Sequence, residues 1–274
     1  MQNAKARPTE PLRLFWWNVT PNFGDTLGRD IIGHVARRPV VWSKERNADL
    51  ISVGSIMWNA RKGTMKRDAR RAPLVVWGTG CMKFLESDWV AGAHVAAVRG
   101  PGTAGILGLP PVAFGDPGLL ARHWIGEVER GEQVGIVPHH SQADDPCWHE
   151  MFAGDPRVTI IDPREDDSAS VIRQIAACRH IFSQSLHGLI IADSYGIPNN
   201  LIVPAGIHAS AWFKFYDYAA GIHRQLRDVV SLDGLQDAVD GARRNAPLPY
   251  AAAIEDACAA LLAAFPAHLV ARPS

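Results

Sequence analysis

The chain has 274 residues, of which 47% are hydrophobic and 20% charged, a globular balance with ample apolar material for a core. Its 28 Lys and Arg offset 28 Asp and Glu, so the basic excess that marks a nucleic-acid binder is absent. Cys81, Cys147, Cys178 and Cys258 stand far apart without a C-x-x-C pair, which argues against a zinc site and a disulfide scaffold and for reduced thiols in a cytoplasmic protein.

Residues 1–11 are polar and proline-bearing, without the apolar core of a signal peptide. Strands are predicted at 12–19, 50–53, 74–77, 94–98 and 112–114, with helices at 25–37 and 118–124. The pattern then restarts, with strands at 134–137, 158–161, 180–182 and 201–203 and helices at 146–152, 168–178 and 185–195. Two more helices follow, at 235–244 and 250–265. Near-continuous apolar strands separated by helices predict parallel sheets covered on both faces. The polar stretch 125–133 is the best boundary, giving an α/β fold of two Rossmann-like domains, 1–125 and 126–274, facing a cleft, with the last helix free to pack back on the first domain. The longest apolar stretch near the C-terminus, 257–265, is far short of the ~20 residues of a membrane span. The basic run Arg61, Lys62, Lys66, Arg67, Arg70 and Arg71 reads either as a solvated face or loop, or as a contact for anionic lipid or polymer.

Ligands of such sheets sit outside the carboxyl ends of strands, so the residues after each strand are the candidates. After the first come Asn22, Gly24 and Asp25. There Gly24 suits a turn with positive φ, and Asp25 either caps the helix or orients a substrate hydroxyl. Arg99 follows the 94–98 strand, where a guanidinium either grips a carboxylate or phosphate or forms an interdomain salt bridge. Gly100-Pro101-Gly102-Thr103-Ala104-Gly105 contains G-x-G-x-x-G, but Pro110 and Pro111 cut the helix short and Asp116 comes too early for a dinucleotide site. His139 and His140 follow the 134–137 strand. Neighbours on an extended chain point to opposite sides, so one histidine contacting an anion or hydroxyl is expected, and no metal. Ser185-Leu186-His187-Gly188 opens a helix whose N–H groups form an anion site, with His187 in its first turn as a general acid or base, or else as a capping or core histidine.

Several segments occur in a recognisable order: Asn22-x-Gly24-Asp25, Arg99, Gly115-Asp116-Pro117-Gly118-Leu119-Leu120, Ser185-Leu186-His187-Gly188, Tyr195-Gly196-Ile197-Pro198 and Lys214-Phe215-x-Asp217-Tyr218. Over residues 12–222 this succession resembles the polysaccharide pyruvyl transferase family. The resemblance implies a variant of the two-domain glycosyltransferase B architecture, with an acceptor-side first domain and a donor-side second. It also implies transfer of a pyruvyl group from phosphoenolpyruvate to sugar hydroxyls, usually as a cyclic ketal, with no cofactor. By resemblance His187 is the catalytic acid/base with Asp25 beside it. Arg99, Ser185, Leu186, Gly188, His139, His140 and Lys214 lie on the donor side, and Asn22 and Trp17 on the acceptor side. Many members carry Arg two residues before the histidine. Here Ser185 stands there, which leaves Lys214, His139 or helix N–H groups to supply the second grip, or marks a different donor. Acceptors in this family are often lipid-linked oligosaccharides at the cytoplasmic face of bacterial membranes, which implies a saccharide partner and peripheral membrane contact. The alternatives are a nucleotide-sugar glycosyltransferase of the same fold and a non-catalytic glycan-binding protein, for which nine tryptophans, among them Trp16 and Trp17, could stack on sugar rings.

Overall fold

The computed structural model describes residues 10–207, 211–242 and 247–271. Residues 1–9 of the polar N-terminal stretch, and Arg243 and Arg244 at the end of a predicted helix, lie outside the described residues. Two parallel sheets carry the fold. The first joins β1 (Leu12–Phe15), β2 (Val40–Trp42), β3 (Leu50–Ser52), β4 (Leu74–Trp77), β5 (Ala93–Val98) and β6 (Ala113–Phe114) in the order β2-β1-β3-β4-β5-β6. The second joins β7 (Val134–Val137), β8 (Val158–Ile160), β9 (His180–Ser183) and β10 (Asn199–Leu201) in the order β10-β9-β7-β8. Every residue of β4, β7 and β9 is buried, as parallel strands covered on both faces require.

The covering helices are α1 (Phe23–Ala36), α2 (Met57–Met65), α3 (Pro101–Leu107), α4 (Ala121–Ile125), α5 (Cys147–Met151), α6 (Ser168–Ala176), α7 (Leu186–Ser194), α8 (Ala211–Gly221), α9 (Leu235–Asp240) and α10 (Ala251–Ala264). All nine residues of α7 are buried, so this helix is enclosed on every side rather than amphipathic. It packs on the turn 117–120 and α1 of the first half, where Ile190 and Leu27 both reach Gly118. One apolar cluster therefore runs through both halves, from Leu14 and Leu27 to Ile190 and Leu261. At the other end of the chain, α10 lies against the first sheet. The Trp77 Nε1 donates to the carbonyl of Leu261 at 2.9 Å, and the Trp77 ring meets Phe265 edge-on.

The differences from the sequence reading have physical causes. The first strand stops at Phe15 because its neighbours end there, with register pairs Leu14↔Trp42 and Phe15↔Ile51. β2 has only three residues, too few to show a period. α2 was hidden under the basic run: Met57, Ala60 and Gly63 form its buried face. The run itself is not a free cationic patch. Arg61 bonds Glu86 and Asp88, Lys62 pairs with Glu45, Arg70 with Asp68, and Arg67 and Arg71 donate to backbone carbonyls at 46–48. The strand expected at 201–203 moves to Asn199–Leu201. Its two asparagines are compatible with a buried sheet because Asn199 donates to Asp193 and Asn200 meets His180 Nε2 at 2.7 Å.

Candidate functional site

The N-terminus of α1 is capped by Asn22, not by Asp25. The Asn22 side-chain oxygen accepts from the Gly24 N–H at 3.1 Å, while its Nδ2 donates to the Asp25 carboxylate at 3.0 Å. Gly24 lies within this helix and is not among the residues with positive φ. Its smallness serves another purpose: a Cβ there would stand 2.0 Å from the Nδ1 of His187. The glycine lets the imidazole of one half lie directly on the helix backbone of the other. Phe23 adds an edge-on ring contact to His187.

On the other side, β9 ends at Ser183, whose hydroxyl accepts from the Ser185 N–H at 3.0 Å and shapes the turn into α7. Ser185 is the N-cap residue but makes no side-chain cap bond, so the first N–H groups of α7 are left for other partners. His187 is the second residue of α7 and is buried. Its Nε2 lies 3.8 Å from the Oδ2 of Asp116, beyond hydrogen-bond distance, and neither atom has a hydrogen-bond partner among the described residues. The other carboxylate oxygen of Asp116 is held by the Gly118 N–H at 2.9 Å. Asp116 is completely buried, and its free oxygen faces the imidazole. A carboxylate so placed can orient the ring.

His187 also lines a pocket of about 480 Å³ between the carboxyl ends of the two sheets. Nine of the eleven sequence candidates line it: Trp17, Asn22, Asp25, His139, His140, Ser185, Leu186, His187 and Lys214. Burial pushes the Asp25 carboxyl up to about 6, against the opposing pull of His187, the Asn22 hydrogen bond and Lys214. Burial, and then the like charge of Arg99, draw the Lys214 ammonium down to about 8, with Asp25 pulling the other way. Burial and then Lys214 also lower the pKa of His140. The two adjacent histidines do not point apart. The chain turns at His139, which caps the short helix 140–142, and this stacks the rings with centroids 4.1 Å apart.

Two candidates stand outside the pocket. Arg99 is completely buried and its guanidinium is engaged within the protein. It bonds Asp217 of α8 at 3.0–3.1 Å, the Ser55 hydroxyl at 2.6 Å and the Cys81 carbonyl at 2.7 Å. It reaches the pocket only through Ser55, which lines it. Gly188 faces away: a Cβ there would stand 2.3 Å from the Ser183 hydroxyl, so the glycine lets α7 close on β9. The G-x-G-x-x-G run is likewise a packing feature. A Cβ at Gly100 would meet the Asp217 carbonyl at 1.8 Å, and one at Gly102 would press on Asp217 and Phe213. The sequence reading missed Asp116 as a site residue although Gly115-Asp116-Pro117-Gly118 was one of its ordered segments; Ser55 carried no signal at all. A larger cavity, about 1130 Å³, lies near β10 beside Arg224 and Tyr250, but it holds none of the eleven candidates, and both side chains there bond the buried Asp193.

A family model described as polysaccharide pyruvyl transferase matches residues 13–204. An uncharacterized protein of Acanthamoeba polyphaga mimivirus is 32% identical over 186 residues, 63% of this chain and 60% of its own length. The succinoglycan biosynthesis protein ExoV of Rhizobium meliloti is 27% identical over 246 residues, 84% of this chain and 71% of its own. The chain thus spans less than two thirds of the viral relative's length.

Proposed function

The chain belongs to the polysaccharide pyruvyl transferase family, and on that premise we propose that it moves the pyruvyl group of phosphoenolpyruvate onto hydroxyls of a saccharide, closing a pyruvate ketal during synthesis of an exopolysaccharide or cell-surface glycan. The observation that carries this reading is His187, held between Asp116 and Gly24 at the N-terminus of α7, in one pocket with Asp25 and Lys214. The relative named for succinoglycan biosynthesis supports a polysaccharide product. The two sheets with a pocket at their carboxyl ends suit a two-domain, glycosyltransferase-B-like arrangement.

In the proposed reaction, protonated His187 delivers its proton to the enol carbon of phosphoenolpyruvate. Positive charge develops at the adjacent carbon, a sugar hydroxyl attacks there, and its proton passes to the Asp25 carboxylate. Phosphate then leaves with the electrons of its C–O bond. A second hydroxyl attacks the resulting oxocarbenium carbon and passes its proton to His187, left neutral by the first step, while the proton on Asp25 departs with phosphate; the ketal is closed and both groups are restored. Asp116 holds the imidazolium in place but does not touch substrate. Lys214, His139, His140 and the free N–H groups of α7 receive the donor's phosphate and carboxylate. Arg99 supports them from behind, through Ser55 and through α8. The scheme calls for no cofactor. Phosphoenolpyruvate is an intracellular metabolite, so the proposed setting is the cytoplasm, with a lipid-linked oligosaccharide as one acceptor class.

Ser185 at the position of the family's usual arginine favours one second reading, a nucleotide-sugar donor whose diphosphate sits on the same helix end. Calorimetry with phosphoenolpyruvate and a panel of nucleotide sugars separates the two. The wild type is expected to bind phosphoenolpyruvate alone, with affinity at least about tenfold weaker in Lys214→Met. Binding of a nucleotide sugar and none of phosphoenolpyruvate would overturn the assignment.

A further inference from the structure

In four neighbouring strands of the first sheet, the last residue or the segment that follows carries an exposed aromatic ring. β2, β1, β3 and β4 are consecutive and parallel, so their carboxyl ends lie along one edge. Trp42 closes β2, Trp17 follows β1, Trp58 opens α2 after β3, and Phe84 lies on the segment after β4. Trp42 and Trp17 are 40% exposed, Trp58 58% and Phe84 76%; among the described residues only Tyr216 is a further exposed Trp, Tyr or Phe. Exposed apolar residues are usually scattered, whereas these are collected on one edge.

The row is continuous with the pocket, because Trp17 and Met82, two residues before Phe84, both line it. It is also braced. Trp42 Nε1 donates to the Trp16 carbonyl at 3.2 Å. Arg61 sits over the Trp58 ring at 5.5 Å and bonds Glu86 and Asp88, tying α2 to the segment that carries Phe84. With adjacent strands about 4.8 Å apart, the four ends span roughly 14 Å, more than one sugar ring covers.

Building on the pyruvyl-transfer reading, we propose that this aromatic rim is an acceptor subsite: it seats the rings of a hexose oligosaccharide that flank the ring whose hydroxyls enter the pocket. The apolar C–H faces of pyranoses stack on flat aromatic surfaces, and hydroxyls at their edges stay in water. An anionic bilayer is the poorer occupant, because Arg61 is already neutralised by two carboxylates and Lys62 by Glu45.

The test is calorimetry of the full chain with cellotetraose, β-1,3-linked glucotetraose and β-1,4-linked galactotetraose, each against its methyl monoglycoside. At least one tetrasaccharide is expected to bind about tenfold more tightly than its single ring. The double variant Trp58→Ala/Phe84→Ala should erase that gap and leave phosphoenolpyruvate affinity unchanged. No gap for any sugar, a gap that survives the substitutions, or a variant that loses only binding to phosphatidylglycerol vesicles would each overturn the rim. The phosphoenolpyruvate titration keeps the two claims apart. If the wild type does not bind that donor, the pocket reading falls while the chain-length gap still decides the rim.

Discussion

Asp25 shows how one residue can be unfavourable for the fold and useful to the reaction. Its carboxyl titrates at about 6 in the folded protein against an ordinary 3.8, mainly through burial. The folded state therefore holds its proton more tightly than the unfolded chain, and stability falls as pH rises from 3.8 to 6. The penalty is absent below that window and complete above it. Asp25→Asn should accordingly raise stability at pH 8 by up to about 3 kcal/mol, a gain that shrinks toward zero as pH falls through the window, read by urea denaturation. The same variant should lose the acid limb of kcat/KM near pH 6. The alkaline limb should lie near pH 8, where Lys214 loses its charge and its hold on an anionic donor. A pH-independent stability difference would contradict the burial assigned to Asp25. At this scale the sequence was informative about residue types and less so about their jobs. Asp25, His187 and Lys214 could be picked out because they follow strands or sit in ordered segments. Gly24 was read as a turn glycine because nothing local announces that an imidazole from residue 187 lands on it. Asp116 was passed over as a site residue for the same reason: its partner is 71 positions away in the chain.

A buried carboxylate, Asp217, ties the helix α8 to the first half. Asp217 bonds Arg99 and accepts from both the N–H and the hydroxyl of Thr103, so α8 is fixed to the N-terminus of α3, and with it Lys214. Asp217→Ala leaves the Arg99 guanidinium buried without its counter-charge and should cost about 3–5 kcal/mol in denaturant unfolding. The double change Arg99→Met/Asp217→Leu should recover most of that loss, because it removes the orphaned charge as well. Equal losses in the single and double variants would show that the pair's charge is not what matters. Arg99 was legible as a cation at a strand end, with ligand grip and salt bridge as its two readings; the structure realises the salt bridge. Strands β4 and β7 were legible residue for residue, since each is a short apolar run bounded by turn residues. α2 and α8 were not. In α2 the cations mask a buried face of only three residues, and in α8 aromatic residues at helical spacing were read as a motif rather than as a helix.

Across the whole molecule, two parallel sheets point their carboxyl ends at one pocket, and α7 is buried at the join. Parallel sheets were readable because apolar strands alternate with helices; the shared core was not, because α7 has no polar face to show which side meets which partner. The assembly supplies what neither half has alone: Asp25, Gly24 and Asp116 come from the first, His187 and Lys214 from the second. The proposed pyruvyl transfer therefore depends on that join, and the most direct test is turnover. Labelled phosphoenolpyruvate is incubated with succinoglycan stripped of its ketals by mild acid, and with a panel of other stripped bacterial polysaccharides, following label in polymer and free phosphate together. The wild type should incorporate pyruvate and release phosphate in equal amounts. His187→Ala should abolish both, and Asp116→Asn should lower kcat about 100-fold with KM for phosphoenolpyruvate unchanged. Incorporation that persists in His187→Ala, or phosphate release with no labelled polymer from any acceptor, would contradict the account.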